Sequence, residues 1–119
     1  MGKTQTLTHG VYTKKIEAMK SEAGLSRQDI AGVVGASLRT VVRWATGQAE
    51  PRGPARERLL GLAAVIQYAG TVMNSRAIAA WLYTPNPLLD FERPVDLVRK
   101  GQYRDVMGSL QSLGEGVFV

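Results

Sequence analysis

An all-α fold is what this sequence predicts, and three observations predict it. Apolar residues recur at spacings of three and four along most of the 119-residue chain, the signature of helices with one buried face. No stretch alternates with period two for long enough to make a strand. Cap residues and glycine stops cut the pattern into separate lengths.

The first element is striped by Tyr12, Ile16, Met19 and Ala23, with Gly24 as its stop. Ahead of it, residues 1–10 ("MGKTQTLTHG") read as a flexible tail holding the chain's single histidine, His9, which is expected to be solvated. Gly2-Lys3-Thr4 lacks the upstream glycine and strand of a phosphate-binding loop. The Met1-Gly2…Thr6 match to a myristoylation pattern reads as chance. The opening residues contain no apolar core of a secretory signal, so a cytoplasmic protein is expected.

In "LSRQDIAGVVGASLRTVVRWATGQAEP", Ser26 caps a helix, Asp29 favours its positive end, and Leu25 can staple against Ile30. Gly35 ends that helix after about two turns. Ser37 caps the next, which runs from Leu38 to Thr46 and stops at Gly47. Pro51, Gly53 and Pro54 form a rigid break, placing a boundary between a unit at 11–53 and another at 54–119.

Beyond the break, Ala55 to Met73 reads as a long helix with Leu59, Leu62, Ala63, Ile66, Ala69 and Met73 on one face. Ser75 caps a shorter helix presenting Ile78, Trp81 and Leu82. "TPNP" breaks the chain at 84–87, and Pro94 opens a short helix ending at Gly101. Tyr103, Val106, Met107, Leu110 and Leu113 stripe the last one. The chain then finishes on the apolar Val117, Phe118 and Val119, where soluble proteins usually end on polar residues.

Charge separates the two halves. Residues 1–60 carry ten Lys/Arg and five Asp/Glu, a net of +5, whereas residues 61–119 carry five of each, a net of zero. A basic excess confined to one half points to a polyanion-binding module joined to something neutral. The two short helices around Gly35-Ala36-Ser37 have the proportions of a DNA-reading helix pair. Val41 and Trp44 fall on the inward side of the second helix, while Arg39 and Arg43 point outward. Arginine reads guanine bidentately, Ser37 and Thr40 can reach phosphate or base edges, and Arg27 and Gln28 are placed for phosphates. The stretch resembles the Xre-type helix-turn-helix of bacterial repressors, including its Trp-x-x-Gly ending, Trp44 to Gly47.

The second half offers no acid/base pair and no metal-ligand spacing, and the chain has no cysteine; no enzyme and no cofactor are expected. It does carry apolar surface around the "PNPLL" turn and the C-terminus, which reads as contacts for a partner. Trp81-Leu82-x-Thr84-Pro85-Asn86-Pro87-x-Leu89, then Pro94-x-Asp96-Leu97, Gly101 and Glu115-Gly116-Val117-Phe118 resemble the toxin-binding domain of Xre/MbcA/ParS-type antitoxins. The resemblance covers roughly residues 59–119, and the helix-turn-helix matches over roughly 25–51. Many members carry a glycine in the loop before the proline, where this chain has Asp90-Phe91-Glu92-Arg93.

The resemblance implies an antitoxin that binds a RES-domain, NAD-degrading toxin and blocks its active-site cleft. It further implies binding to its own promoter DNA, as a homodimer or within a larger complex. The implied toxin contacts are Trp81, Tyr83, Pro85, Asn86, Pro87, Leu89, Arg93, Glu115, Gly116, Val117, Phe118 and Val119. The alternative is a dimeric transcription regulator whose second half only oligomerises.

Overall fold

Most of the helix ends marked by local signals in the sequence are found where those signals stand. The computed structural model describes the backbone of residues 3–115 and the side chains of residues 10–115. In chain order the helices are α1 Lys3–Ala23, α2 Arg27–Val34, α3 Leu38–Ala45, α4 Gly53–Ala69, α5 Ser75–Leu82, α6 Pro94–Arg99 and α7 Tyr103–Gly114. A 3-10 turn over Pro87–Leu89 separates α5 from α6. There is no strand among the described residues, only an isolated bridge between Asn86 and Glu92.

α2 begins with a reciprocal cap. The Asp29 N–H donates to the Ser26 hydroxyl at 3.0 Å, and the Ser26 N–H donates to the Asp29 carboxylate at 2.9 Å. It ends at Gly35, whose φ of 75° lets the N–H groups of Gly35 and Ala36 both turn back to the Ala31 carbonyl. Two residues on, the Ser37 hydroxyl accepts the Thr40 N–H at 3.1 Å and starts α3.

Three helices differ most in their bounds from the sequence reading. α1 starts at Lys3 rather than near Tyr12, because its first turns extend beyond the apolar stripe that betrays the rest; most of the stretch read as a tail is helix. α4 runs from Gly53 to Ala69 rather than from Ala55 to Met73; Pro54 sits in its first turn, where a missing N–H costs nothing, and Gly70 to Met73 form turns. α5 is capped by Asn74, whose side-chain oxygen accepts the Ala77 N–H at 2.9 Å, so Ser75 is its first helical residue and not its cap.

α4 is the wall shared by both halves. It packs against α1, α2, α6 and α7. Leu59, Leu62, Val65 and Ile66 are fully buried there, in one continuous cluster with Met19, Ile30, Val41, Ile78, Leu82 and Leu110. Each such side chain contributes about 1.5–3 kcal/mol by leaving water. α7 approaches α4 closely at Gly61, where a β-carbon would stand 2.8 Å from the Tyr103 ring. α6 is tied to α2 as well, since the Arg99 Nε donates to the Gly32 carbonyl at 3.1 Å.

Candidate functional site

Two surfaces remain after the core is accounted for, and α3 builds the first. Val41, Trp44 and Ala45 are buried, which fixes the rotation of the helix and leaves its other side to solvent. Arg39 and Arg43 stand on that side together with Leu38, Val42 and Gln48, lining one concave surface. Neither arginine enters an ion pair among the described residues, so both guanidinium groups keep their donors. Arg27 and Gln28 are exposed in the first turn of α2. Ser37 is exposed but already occupied, as its hydroxyl caps α3 and also donates to the hydroxyl of the half-buried Thr40 at 2.9 Å.

Leu38 and Gln48 are the residues on this surface that sequence reasoning missed. Leu38 is 43% exposed beside Arg39, an apolar group among polar ones. Its only signal is its place directly after the Ser37 cap, in the first turn of α3 beside Arg39. Gln48 lies beyond the Gly47 stop, and no helical spacing connects it to the arginines.

The second surface is a groove of about 630 Å³ between the end of α5, the 84–88 turn and the last turn of α7. Its walls include Trp81, Pro85, Pro87, Leu88 and Leu113. Trp81 does two things: one part packs against the core while another faces the groove. Its indole N–H is buried and has no acceptor among the described residues. Leu88, not Leu89, is the exposed leucine of the pair, at 48% against 7%. The sequence places Leu89 on the contact surface; instead it is buried where the 3-10 turn packs on α7.

Asn86 organises the loop rather than leaving it free for contact. Its side-chain oxygen accepts the Leu88 N–H at 2.9 Å, and its carbonyl accepts the N–H groups of Leu89 and Phe91 at 2.9 and 2.8 Å. Its own N–H donates to the Glu92 carbonyl at 3.0 Å, closing the loop. Within that loop Asp90 and Phe91 both take left-handed conformations, with φ of 55° and 64°. Phe91 is 71% exposed.

Arg93 is held on two sides. It forms a bidentate pair with Asp96, at 2.7 and 2.9 Å, and its guanidinium stacks over the Tyr83 ring at 5.8 Å. Arg99 adds a third bond to Asp96 at 3.0 Å. The hydrogen bonds from Arg93 hold the Asp96 carboxyl below the usual carboxylate range, against the opposing effect of desolvation. Partial burial, and then the nearby Asp29 charge, push the Tyr83 phenol above its ordinary value. Glu115 caps α7, its N–H donating to the Gln111 carbonyl at 3.0 Å. The contacts expected of Gly116, Val117, Phe118 and Val119 lie outside the described residues.

The described residues thus bear a basic helix face without ion pairs and an apolar groove on one core, with no cluster of metal-ligating side chains among them. The relatives of the chain give it a family. It is 38% identical over 109 residues to the mycobacterial cidal antitoxin MbcA of Mycobacterium bovis and of Mycobacterium tuberculosis, a match spanning 92% of this chain and 96% of theirs. It is also similar to a chain in the crystal structure of the M. tuberculosis MbcT–MbcA toxin–antitoxin complex, with a TM-score of 0.82 and 34% identity over 92% of this chain and 98% of that one. No protein-family model matches. The chain belongs to the mycobacterial cidal antitoxin family.

Proposed function

We propose that this chain is the antitoxin of a type II toxin–antitoxin pair. In this reading it binds a RES-domain toxin that degrades NAD and neutralises it by blocking the active-site cleft. The observation that carries the reading is the likeness, along nearly the whole chain, to a protein solved together with its toxin. The groove beside Trp81, Pro85, Pro87 and Leu88 supports it, because it is an apolar surface that the protein's own described residues leave open. Tyr83 and Arg93 flank the same turn, and Glu115 leads into Gly116, Val117, Phe118 and Val119, an apolar end held in this reading by the toxin, by the antitoxin's own core, or by both.

The same chain, in this reading, represses its own promoter. α2 and α3 act as a helix-turn-helix, with α3 in the major groove of operator DNA. Arg39 and Arg43 then donate to base edges, while Arg27 and Gln28 donate to backbone phosphates. The concave surface that brings Leu38 and Gln48 beside these arginines supports that role, since a leucine can meet a thymine methyl and a glutamine an adenine. Binding as a homodimer or within a larger toxin–antitoxin complex would place two such helices on two half-sites.

The test is direct. A purified RES-domain toxin, encoded beside this chain, is mixed with it while NAD is followed. Stoichiometric antitoxin is expected to stop NAD consumption, and the same preparation is expected to retard a fragment of its own promoter. Undiminished NAD consumption would overturn the antitoxin reading. Inhibition without promoter binding would remove only the repressor role.

A further inference from the structure

Phe91 is in the wrong place for a residue that serves only the fold. Its φ of 64° lies in the left-handed region, which glycine occupies freely and which a β-carbon disfavours. The residue before it, Asp90, shares that conformation at 55°, but aspartate is among the side chains that tolerate it. Phenylalanine is not. Nor does the ring repay the strain by burial, because 71% of the residue is open to solvent. A glycine would make the same loop more comfortably, with the same backbone N–H bond to the Asn86 carbonyl.

The surroundings say which surface Phe91 belongs to. Its N–H donates to the Asn86 carbonyl at 2.8 Å, and Asn86 lines the groove with Pro85, Pro87 and Leu88. Leu113, 41% exposed at the end of α7, closes that groove. The chain leaves α7 there, with four more residues beyond Glu115 that can span at most about 13 Å. Phe91 therefore stands on the loop of the surface from which the terminal segment sets out. One flank is acidic: Asp90 is exposed and in no ion pair among the described residues, whereas the Glu92 carboxylate is already paired with Lys100 at 2.7 Å.

We infer that Phe91 is an anchor residue for the toxin, seated in an apolar pocket that presents a basic group to Asp90. The hydrogen-bonded loop fixes where the Cα–Cβ bond of Phe91 points before binding, so only the side-chain torsions are left to order in the encounter. This rests on the antitoxin reading above and adds to it a second point of attachment, independent of the C-terminal tail.

The experiment uses the full chain and its RES-domain toxin, with Phe91→Gly and Phe91→Ala as variants. Three quantities are read: toxin affinity, the Tm of the free antitoxin, and its mass in solution. Phe91→Gly is expected to weaken toxin binding by about 30-fold or more while raising the Tm by a few degrees, because strain leaves with the ring. Phe91→Ala keeps the β-carbon and is expected to lose the same affinity without the gain in Tm. Unchanged affinity in both variants overturns the inference and leaves the antitoxin reading standing. A fall in Tm in both makes Phe91 a structural residue, and a change in mass assigns it to contacts between copies; either overturns the inference. A wild-type chain that binds no toxin overturns the antitoxin reading first, and this inference with it.

Discussion

Between Leu38 and Ala45 each side chain's role follows from the helix it sits on, whereas between Tyr83 and Arg93 almost none does. In α3 a hydroxyl cap sets the start, three buried residues set the rotation, and the arginines are left on the outside by geometry alone. The 83–93 loop obeys no period. Asn86 gathers four hydrogen bonds, two successive residues take positive φ, and Arg93 is clamped between a carboxylate and an aromatic ring. The first surface keeps its geometry wherever the helix survives. The second depends on individual atoms, so single substitutions there should act on binding more than on folding.

The sharpest way to break that contrast is through the scaffold of α3. Trp44 is 4% exposed, and Trp44→Ala should cost about 3–5 kcal/mol of stability, read as a lower denaturation midpoint. A destabilisation of that order would abolish both surfaces together, as the shared core requires. On the helix face, Arg39→Ala or Arg43→Ala should weaken operator binding by about 1–3 kcal/mol for each bidentate arginine–guanine pair removed, with toxin affinity unchanged. Equal operator affinity in both variants would place DNA recognition elsewhere.

In the loop, Asn86→Ala removes the acceptor of the Leu88 N–H and should cost about 1 kcal/mol of stability. Toxin affinity should fall by more than that, because the groove wall shifts; an effect on stability alone would reduce Asn86 to an ordinary turn residue. The smallest effect concerns pH. The Asp96 carboxyl has a folded value lowered by Arg93, so its contribution is present above its unfolded value, about 3.9, and is lost as pH falls through the folded one. Thermal midpoints of the wild type should therefore drop more below about pH 4 than those of Asp96→Asn.

How much of the molecule is legible in its sequence differs between the same two regions. Ser26, Asp29, Gly35, Ser37 and Pro94 act on their immediate neighbours, so the ends of α2, α3 and α6 can be read from residue types. The start of α1 cannot, because Thr, His and Gly near its beginning argue against helix and only its later turns are striped. Asn74 and Ser75 are both good caps, and nothing local decides between them. The "PNPLL" turn reads as surface throughout, yet Leu89 is buried beside an exposed Leu88, because a 3-10 turn has neither the 3.6 nor the 2 period that sorts inward from outward. The positive φ of Phe91 is invisible for the opposite reason: a bulky aromatic residue gives no hint of it.

If the end of the chain disables an enzyme while the front holds DNA, the two roles must separate on truncation after Glu115. That cut leaves the bond from the Glu115 N–H to Gln111, and hence α7, intact. The measurement is NAD consumption by the RES-domain toxin with saturating truncated antitoxin present. Resumed NAD consumption, at a rate approaching that of free toxin, is predicted. Inhibition as complete as with the full chain would contradict the account, since residues 116–119 would then have no part in closing the cleft.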